Sequence, residues 1–254
     1  MNIETATRHQ ITRVRRDSRR RTLTVVAVER LTPQMQRIHF ASPDLHDFHS
    51  GAPDDHVKLL LPASPTAGDG GEEVCKRDYT PRAFDPAKGA LTIDFALHEA
   101  GPATAWALAA RVGDTLAIGG PRGSTVVADD FDWYLLIGDE TALPAIGRRM
   151  EELRPGVPAI TLVVVDTAAE KQEFATAAKW TPLWILRDRQ PLDDANLLLL
   201  ALSDLELPPG DGYVWIAGEA CIAKSLRSYM SDVRGHPKDW MKASGYWSRG
   251  EVAV

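Results

Sequence analysis

The spacing of apolar residues changes near Phe131, and that change dictates two kinds of architecture in one chain. Upstream, short apolar or alternating runs recur at Thr22–Arg30, Met35–Ala41, Val57–Leu61, Leu91–Leu97, Asp114–Ile118 and Ser124–Val127. Gly, Pro and Asp separate them, which predicts closely connected strands of a barrel or sandwich. One helix is expected within this half, opening at Gly101-Pro102 with Ala103–Ala110 behind, because proline is favourable at a first helical position. Residues 63–73 read as a flexible loop by composition. Downstream, strands expected at Trp133–Ile137, Ala159–Val165, Leu183–Leu186 and Tyr213–Ala217 alternate with helices at Ala142–Leu153, Ala168–Ala178, Asp193–Leu202 and Glu219–Met230. That alternation predicts a parallel sheet covered by helices. The expectation is a two-domain α+β chain: an N-terminal antiparallel β-barrel over residues 1–129 and a C-terminal α/β parallel-sheet domain over 130–254. A length of 254 residues suits two modest domains.

Charge narrows the function classes. Lys and Arg number 29 against 35 Asp and Glu, a net charge of −6, which argues against a nucleic-acid scaffold. No run approaches the roughly 20 apolar residues of a membrane span. Six arginines stand between Arg13 and Arg21, and Arg20-Arg21 followed by LTVVAV is suggestive of an export signal. The apolar run ends at Glu29-Arg30, shorter than the ~7–15 residues such a signal needs, so a strand in a cytoplasmic protein is expected. The arginines read as a solvated lead-in. Cys75 and Cys221 form neither a disulfide framework nor a thiolate cage. Cys221 is expected to pack within its helix, and Cys75 is read as a tolerated thiol, with a redox role beside Arg77 left open. His46 and His49, with Asp44 and Asp47, lack a second pair at ligand spacing and are not read as a metal site.

Three segments point to chemistry. In Arg77-Asp78-Tyr79-Thr80-Pro81-Arg82, extended backbone projects Arg77 and Tyr79 to one face. Arg77 offers a forked cation to a pyrophosphate, Tyr79 a flat face to an isoalloxazine ring, and Thr80 a hydroxyl or N–H. Taken alone, the segment favours a plainer reading, a structural Tyr-Thr pair. The second segment runs from a strand through His98 into Gly101-Pro102-Ala103-Thr104, where a small-residue helix start makes an anion site. The third, Gly138-Asp139-Glu140-Thr141-Ala142, is a strand-to-helix turn without a GxGxxG fingerprint. Its carboxylates suit helix capping, or the amide and ribose of a nicotinamide.

Together, RDYTPR, HEAGPATAWA, GPRGS, GDETALPAI, WIAGEACIAKSLRSYM and KASGYWSRG resemble the siderophore-interacting, NAD(P)H-dependent ferric-siderophore reductases, a branch of the ferredoxin–NADP reductase-like flavoproteins. The resemblance runs from about Arg20 to Gly250 and implies an FAD-binding barrel followed by a nucleotide domain. It assigns Arg77, Tyr79 and Thr80 to the flavin motif, and His98 with Gly101, Pro102, Ala103 and Thr104 to the pyrophosphate. Asp139, Thr141 and Ala142 fall where the second domain faces flavin and nicotinamide, and Trp247 matches an aromatic residue that folds back near the flavin. Ala105 departs from the pattern, since many members carry a polar residue there. Asp166 suggests a ribose diol contact and hence NADH, whereas Lys171 and Arg187 leave NADPH open.

The implied activity passes electrons from NAD(P)H through FAD to an Fe(III)-siderophore, releasing Fe(II). Lys58, Arg122 and Arg249 are the candidate cations for an anionic iron chelate, Arg249 ranking last. No protein acid or base is required, and the iron belongs to the substrate. A monomer is expected. The competing readings are a general flavin reductase or ferredoxin-coupled carrier, and a non-catalytic siderophore-binding protein.

Overall fold

The computed structural model describes residues 8–62, 74–98, 101–189 and 192–250, and the loop expected over 63–73 lies outside them. The first half is built from β1 (Ile11–Arg15), β2 (Arg20–Thr32), β3 (Met35–Ala41), β4 (Val57–Pro62), β5 (Val74–Tyr79), β6 (Ala83–Asp85), β7 (Ala90–Ala96), β8 (Thr115–Gly119) and β9 (Gly123–Val127). Seven of these form one antiparallel sheet in the order β5-β4-β8-β2-β3-β7-β6, while β1 pairs with β9 alone. The sheet curls until β5 meets β7. Leu23, Ile38, Leu59, Ile93 and Ile118 fill its interior, and helix α1 (Pro102–Ala109) packs Ala103 and Ala107 against them.

Period-two alternation fixes which side chains point inward. Across β2, β8, β4 and β5, register places Arg21, Ile118, Leu59 and Arg77 in one inward row. Arg20, Gly119, Lys58 and Asp78 form the neighbouring outward row. The arginine run is therefore not wholly a solvated lead-in. Arg21 is buried, donating to Asp44 O (2.9 Å), Gly120 O (3.1 Å) and Asp47 (2.9 Å). Hydrogen bonds from Arg21 and then Arg19 hold the Asp47 carboxyl down at about 2. This pairing stabilises the fold above the ordinary carboxylate range and fades only as pH falls towards that value.

The second half is a parallel sheet of β10 (Trp133–Gly138), β11 (Pro158–Val165), β12 (Lys179–Leu186), β13 (Gly212–Glu219) and β14 (Met241–Trp247), in the order β12-β11-β10-β13-β14. Helices α2 (Leu143–Glu152), α3 (Asp194–Asp204) and α4 (Ala220–Ser228) connect it. Every residue of β10 and β13 is buried, as strands covered on both faces should be. Leu135, Leu162, Leu198 and Leu226 pack on one face. Leu136, Ile146 and Trp215 pack on the other, in a cluster that includes Met35 and Ala96 of the antiparallel sheet.

The helix expected over Ala168–Ala178 is absent. Only Ala168–Glu170 makes a turn. Beyond it the Phe174 ring packs tilted against Trp180 at 5.3 Å, and the Thr176 hydroxyl donates to Met150 O at 2.5 Å while accepting from Ala178 N–H at 3.1 Å. The local bond from Ala178 N–H and the distant one to Met150 together displace helical ones. Cys221 is exposed rather than packed, because α4 turns that side to solvent. The final strand β14 was not expected, since its Lys, Ser and Gly residues break the apolar pattern.

At the end of β10, Gly138 has no room for a side chain. A Cβ there would lie 2.4 Å from Ala142 Cβ and 2.7 Å from Ala217 O. Gly138→Ala is expected to cost about 1–3 kcal/mol of stability, seen as a lower urea midpoint at unchanged slope.

Candidate functional site

The site begins on β5. Alternation places Arg77 and Tyr79 on the barrel-facing side of the strand and Lys76 and Asp78 on the other. The Tyr79 ring lies 4.7 Å from Phe95, and burial pushes its phenol well above the usual tyrosine range, so it presents a neutral aromatic face. Arg77 donates one bond to Lys76 O at 2.8 Å. The next residue, Thr80, is buried. Pro81 O then accepts from Arg148, and Arg82 binds Glu151 through two bonds of 2.7 and 2.5 Å, tying this strand end to α2.

The turn from β7 into α1 supplies backbone donors. The Thr104 hydroxyl accepts from His98 N–H at 3.2 Å, so Thr104 closes the turn rather than capping the helix. The cap position is Gly101, at φ +153°, where a Cβ would meet nothing within 4 Å. Among the described residues no side chain caps the helix, and Pro102 brings no N–H of its own. The first turn therefore has backbone donors with no side-chain cap, as an anion cradle requires.

The two sheets meet at Thr80. The Tyr246 side chain lies beside Thr80, and burial, with Asp54 and Asp139 nearby, raises the Tyr246 phenol. Asp139 is buried; its Oδ1 accepts from Thr141 N–H (2.9 Å) and hydroxyl (2.5 Å), and its Oδ2 accepts from Trp247 Nε1 at 2.8 Å. The capping reading of Asp139 thus holds, and Ala142 lies buried behind it. Asp54 accepts from Trp215 Nε1 at 3.0 Å and pairs with Lys242 Nζ at 2.5 Å. Burial would raise the Asp54 carboxyl, but Lys242 and Trp215 outweigh it and hold it below the usual range. Tyr246, Asp54 and Lys242 escaped the sequence reading. The one available signal was Tyr246 beside Trp247 in GYWSRG.

Glu140, Asp166 and Arg187 converge at the carboxyl ends of β10, β11 and β12. Arg187 donates to Glu140, to Asp166 at 2.6 Å and to both oxygens of Asp194 at 2.8 and 2.9 Å. Asp166 Oδ2 also accepts from Gln34 Nε2 at 2.7 Å, a bond between the two sheets. Asp166 and Arg187 are thus engaged with each other and with the antiparallel sheet, while Lys171 is exposed.

The candidate substrate cations divide. Lys58, on the outward row, binds Asp78 at 2.8 and 3.0 Å, and it lines a concavity of about 430 Å³ with His56 and Arg122. Arg249 lies apart from that concavity, with its backbone N–H donating to Glu219 at 3.2 Å. Lys58 faces away from the side of β5 that carries Arg77 and Tyr79.

Comparison with known proteins accords with this arrangement. Residues 24–125 match the siderophore-interacting FAD-binding domain, and residues 131–250 match the siderophore-interacting protein family. The NADPH-dependent ferric-chelate reductase of Escherichia coli K12 is 35% identical over 92% of this chain and 95% of its own length. A ferric vibriobactin reductase of Vibrio cholerae is 25% identical over 91% of this chain and 90% of its own. The crystal structure of a siderophore utilization protein from T. fusca superposes with a TM-score of 0.86 at 35% identity, covering 96% of this chain and 98% of that one. With its antiparallel and parallel sheets each matched in order, the chain belongs to the siderophore-interacting protein family.

Proposed function

We propose that the chain is an FAD-dependent ferric-chelate reductase, drawing electrons from NADPH or NADH and delivering them to an Fe(III)-siderophore. The observation that carries this reading is the junction of the two sheets, where the strand end bearing Arg77 and Tyr79 is tied through Pro81 and Arg82 to Arg148 and Glu151 of α2, beside the Asp139–Trp247 pair of the parallel sheet. The residues present fit a flavin dinucleotide: a forked cation and an aromatic face on one side of β5, and an uncapped helix start beyond β7. Bound FAD supplies the capacity to accept a hydride and to release electrons one at a time.

The chain's own residues hold and orient. Arg77 and the first turn of α1, from Gly101 to Thr104, bind the diphosphate; Tyr79 offers its ring; and Thr80, beside Tyr246, sets the edge of the pocket. Asp139, Thr141 and Ala142 shape the nicotinamide side, with Trp247 covering Asp139. Lys58 and Arg122 bind the anionic iron chelate, with Arg249 on the approach. Ferrous iron holds hard oxygen ligands more weakly than ferric iron, so reduction releases the metal. The division at residues 129 and 130, a cytoplasmic location, a monomeric state and reduced ferredoxin as an alternative donor belong to the same proposal.

The test is a spectral titration of the purified flavoprotein, kept anaerobic, with NADPH, NADH or reduced ferredoxin, followed by a ferric chelate. Bleaching and chelate-dependent recovery of the flavin band are expected. A flavin that no donor bleaches, and that no ferric chelate reoxidises after chemical reduction, would falsify the reading. Lys58→Ala is expected to slow chelate-dependent reoxidation about tenfold while FAD stays bound. Its pair with Asp78 is exposed and adds little stability. Asp78→Asn should therefore act in the opposite direction, and unchanged rates in both variants would remove Lys58 from the site.

A further inference from the structure

The arginine run between Arg13 and Arg21 borders two concavities that share Ser18 and Arg122. The larger, about 860 Å³, is walled by Arg15, Arg16, Arg19 and Arg21, and the smaller by Arg20, Lys58 and Lys76. Among the described residues, two carboxylates reach these walls, Asp17 and Asp47, and Asp47 is already bound by Arg19 and Arg21. Among the described residues, Arg15, Arg16, Arg20, Lys76 and Arg122 form no salt bridge. The wall is held in place by backbone: Arg16 N–H donates to Arg122 O at 2.8 Å, and Arg15 pairs with Gly123 in the β1–β9 ladder.

Crowding unpaired cations on one face of a chain with net charge −6 is unfavourable unless a ligand neutralises them. A concave surface also focuses their field, and arginine forks match pairs of anionic oxygens. The volumes fall in the range of ligand pockets, and they adjoin Lys58 and Arg122. We propose that the arginine segment joining β1 to β2 extends the chelate site and selects ferric chelates of net negative charge over neutral or cationic ones. This rests on the reductase reading, since it takes the chelate as the ligand.

Binding and reduction are tested separately. Gallium(III) has the charge of iron(III) but is redox-inert under these conditions, so its chelates report affinity alone. Calorimetric titration of the FAD-loaded protein is expected to show a trianionic Ga(III) tris-catecholate binding at least about tenfold tighter than a cationic Ga(III) trihydroxamate. Added salt should shrink that ratio. The double variant Arg15→Gln/Arg16→Gln should lower the ratio about tenfold, Arg20→Gln should lower it by a smaller factor, and Arg15→Lys/Arg16→Lys should retain most of it. Equal affinities for the two chelates, or an unchanged ratio in the double glutamine variant, would overturn the inference. The same iron(III) chelates, followed by flavin reoxidation, test the underlying reading. Charge-ordered gallium binding without iron reduction would sink the reductase and leave the selectivity, whereas reduction without charge order would do the reverse.

Discussion

Asp94→Ala is expected to lower the unfolding free energy by about 3–5 kcal/mol, the cost of removing one partner from a buried ion pair. The Asp94 side chain is 1% exposed and receives two bonds from Arg37, at 2.7 and 2.8 Å, with Arg82 Nε 3.7 Å away. The hydrogen bond to Asp94 is the chief reason the Arg37 guanidinium holds its proton more tightly than usual. Arg82 continues to Glu151 on α2, so the carboxylate anchors a chain of charges from barrel to parallel sheet. Alanine would leave two cations facing a void. Asp94→Asn, which keeps an acceptor but no charge, should lose less. Urea unfolding of the apoprotein followed by tryptophan fluorescence measures both, and a loss below about 1 kcal/mol for alanine would show that the arginines find other partners.

The second large effect concerns the cofactor. Arg77→Ala is expected to weaken FAD binding by about ten- to a hundredfold, the worth of a charge-assisted hydrogen bond of about 1.5–3 kcal/mol. Apoprotein stability should change by less than about 1 kcal/mol, because Arg77 lies at the sheet edge rather than within the core. Arg77→Lys should recover part of the affinity, since lysine keeps the charge but loses the fork. Fluorescence titration of the apoprotein with FAD reads all three forms. Equal affinity for wild type and the alanine variant would move the diphosphate contact to the start of α1 alone.

The sequence was most legible where one local rule decided the outcome. Met35–Ala41, where Ile38 and Phe40 alternate with Arg37 and His39, forms a strand with those bounds, and Ala159–Val165 is apolar but for Thr161 because both of its faces are covered. The parity of Arg77 and Tyr79 follows from extended backbone alone. Legibility failed where distant residues decide. Ala168–Ala178 is rich in helix formers, but Phe174 and Thr176 find better partners in Trp180 and Met150. Asp54 and Lys242 are far apart in the chain and meet only because β14 joins the sheet edge beside β13. The acidic pair Asp139-Glu140, puzzling in a ligand turn, is accounted for by Trp247 and Arg187, neither of them a neighbour in sequence.

That last strand also sets an order of assembly. The barrel comes earlier in the chain, and its strand pairings all lie within residues 11–127, so it can form while later residues are still being made. The partner of Asp139, however, is Trp247 at the end of β14, with Tyr246 beside Thr80. A nascent chain lacking them holds the diphosphate half of its pocket without the wall from the parallel sheet. Cofactor capture during synthesis would therefore be loose and reversible, tightening only once β14 has left the ribosome.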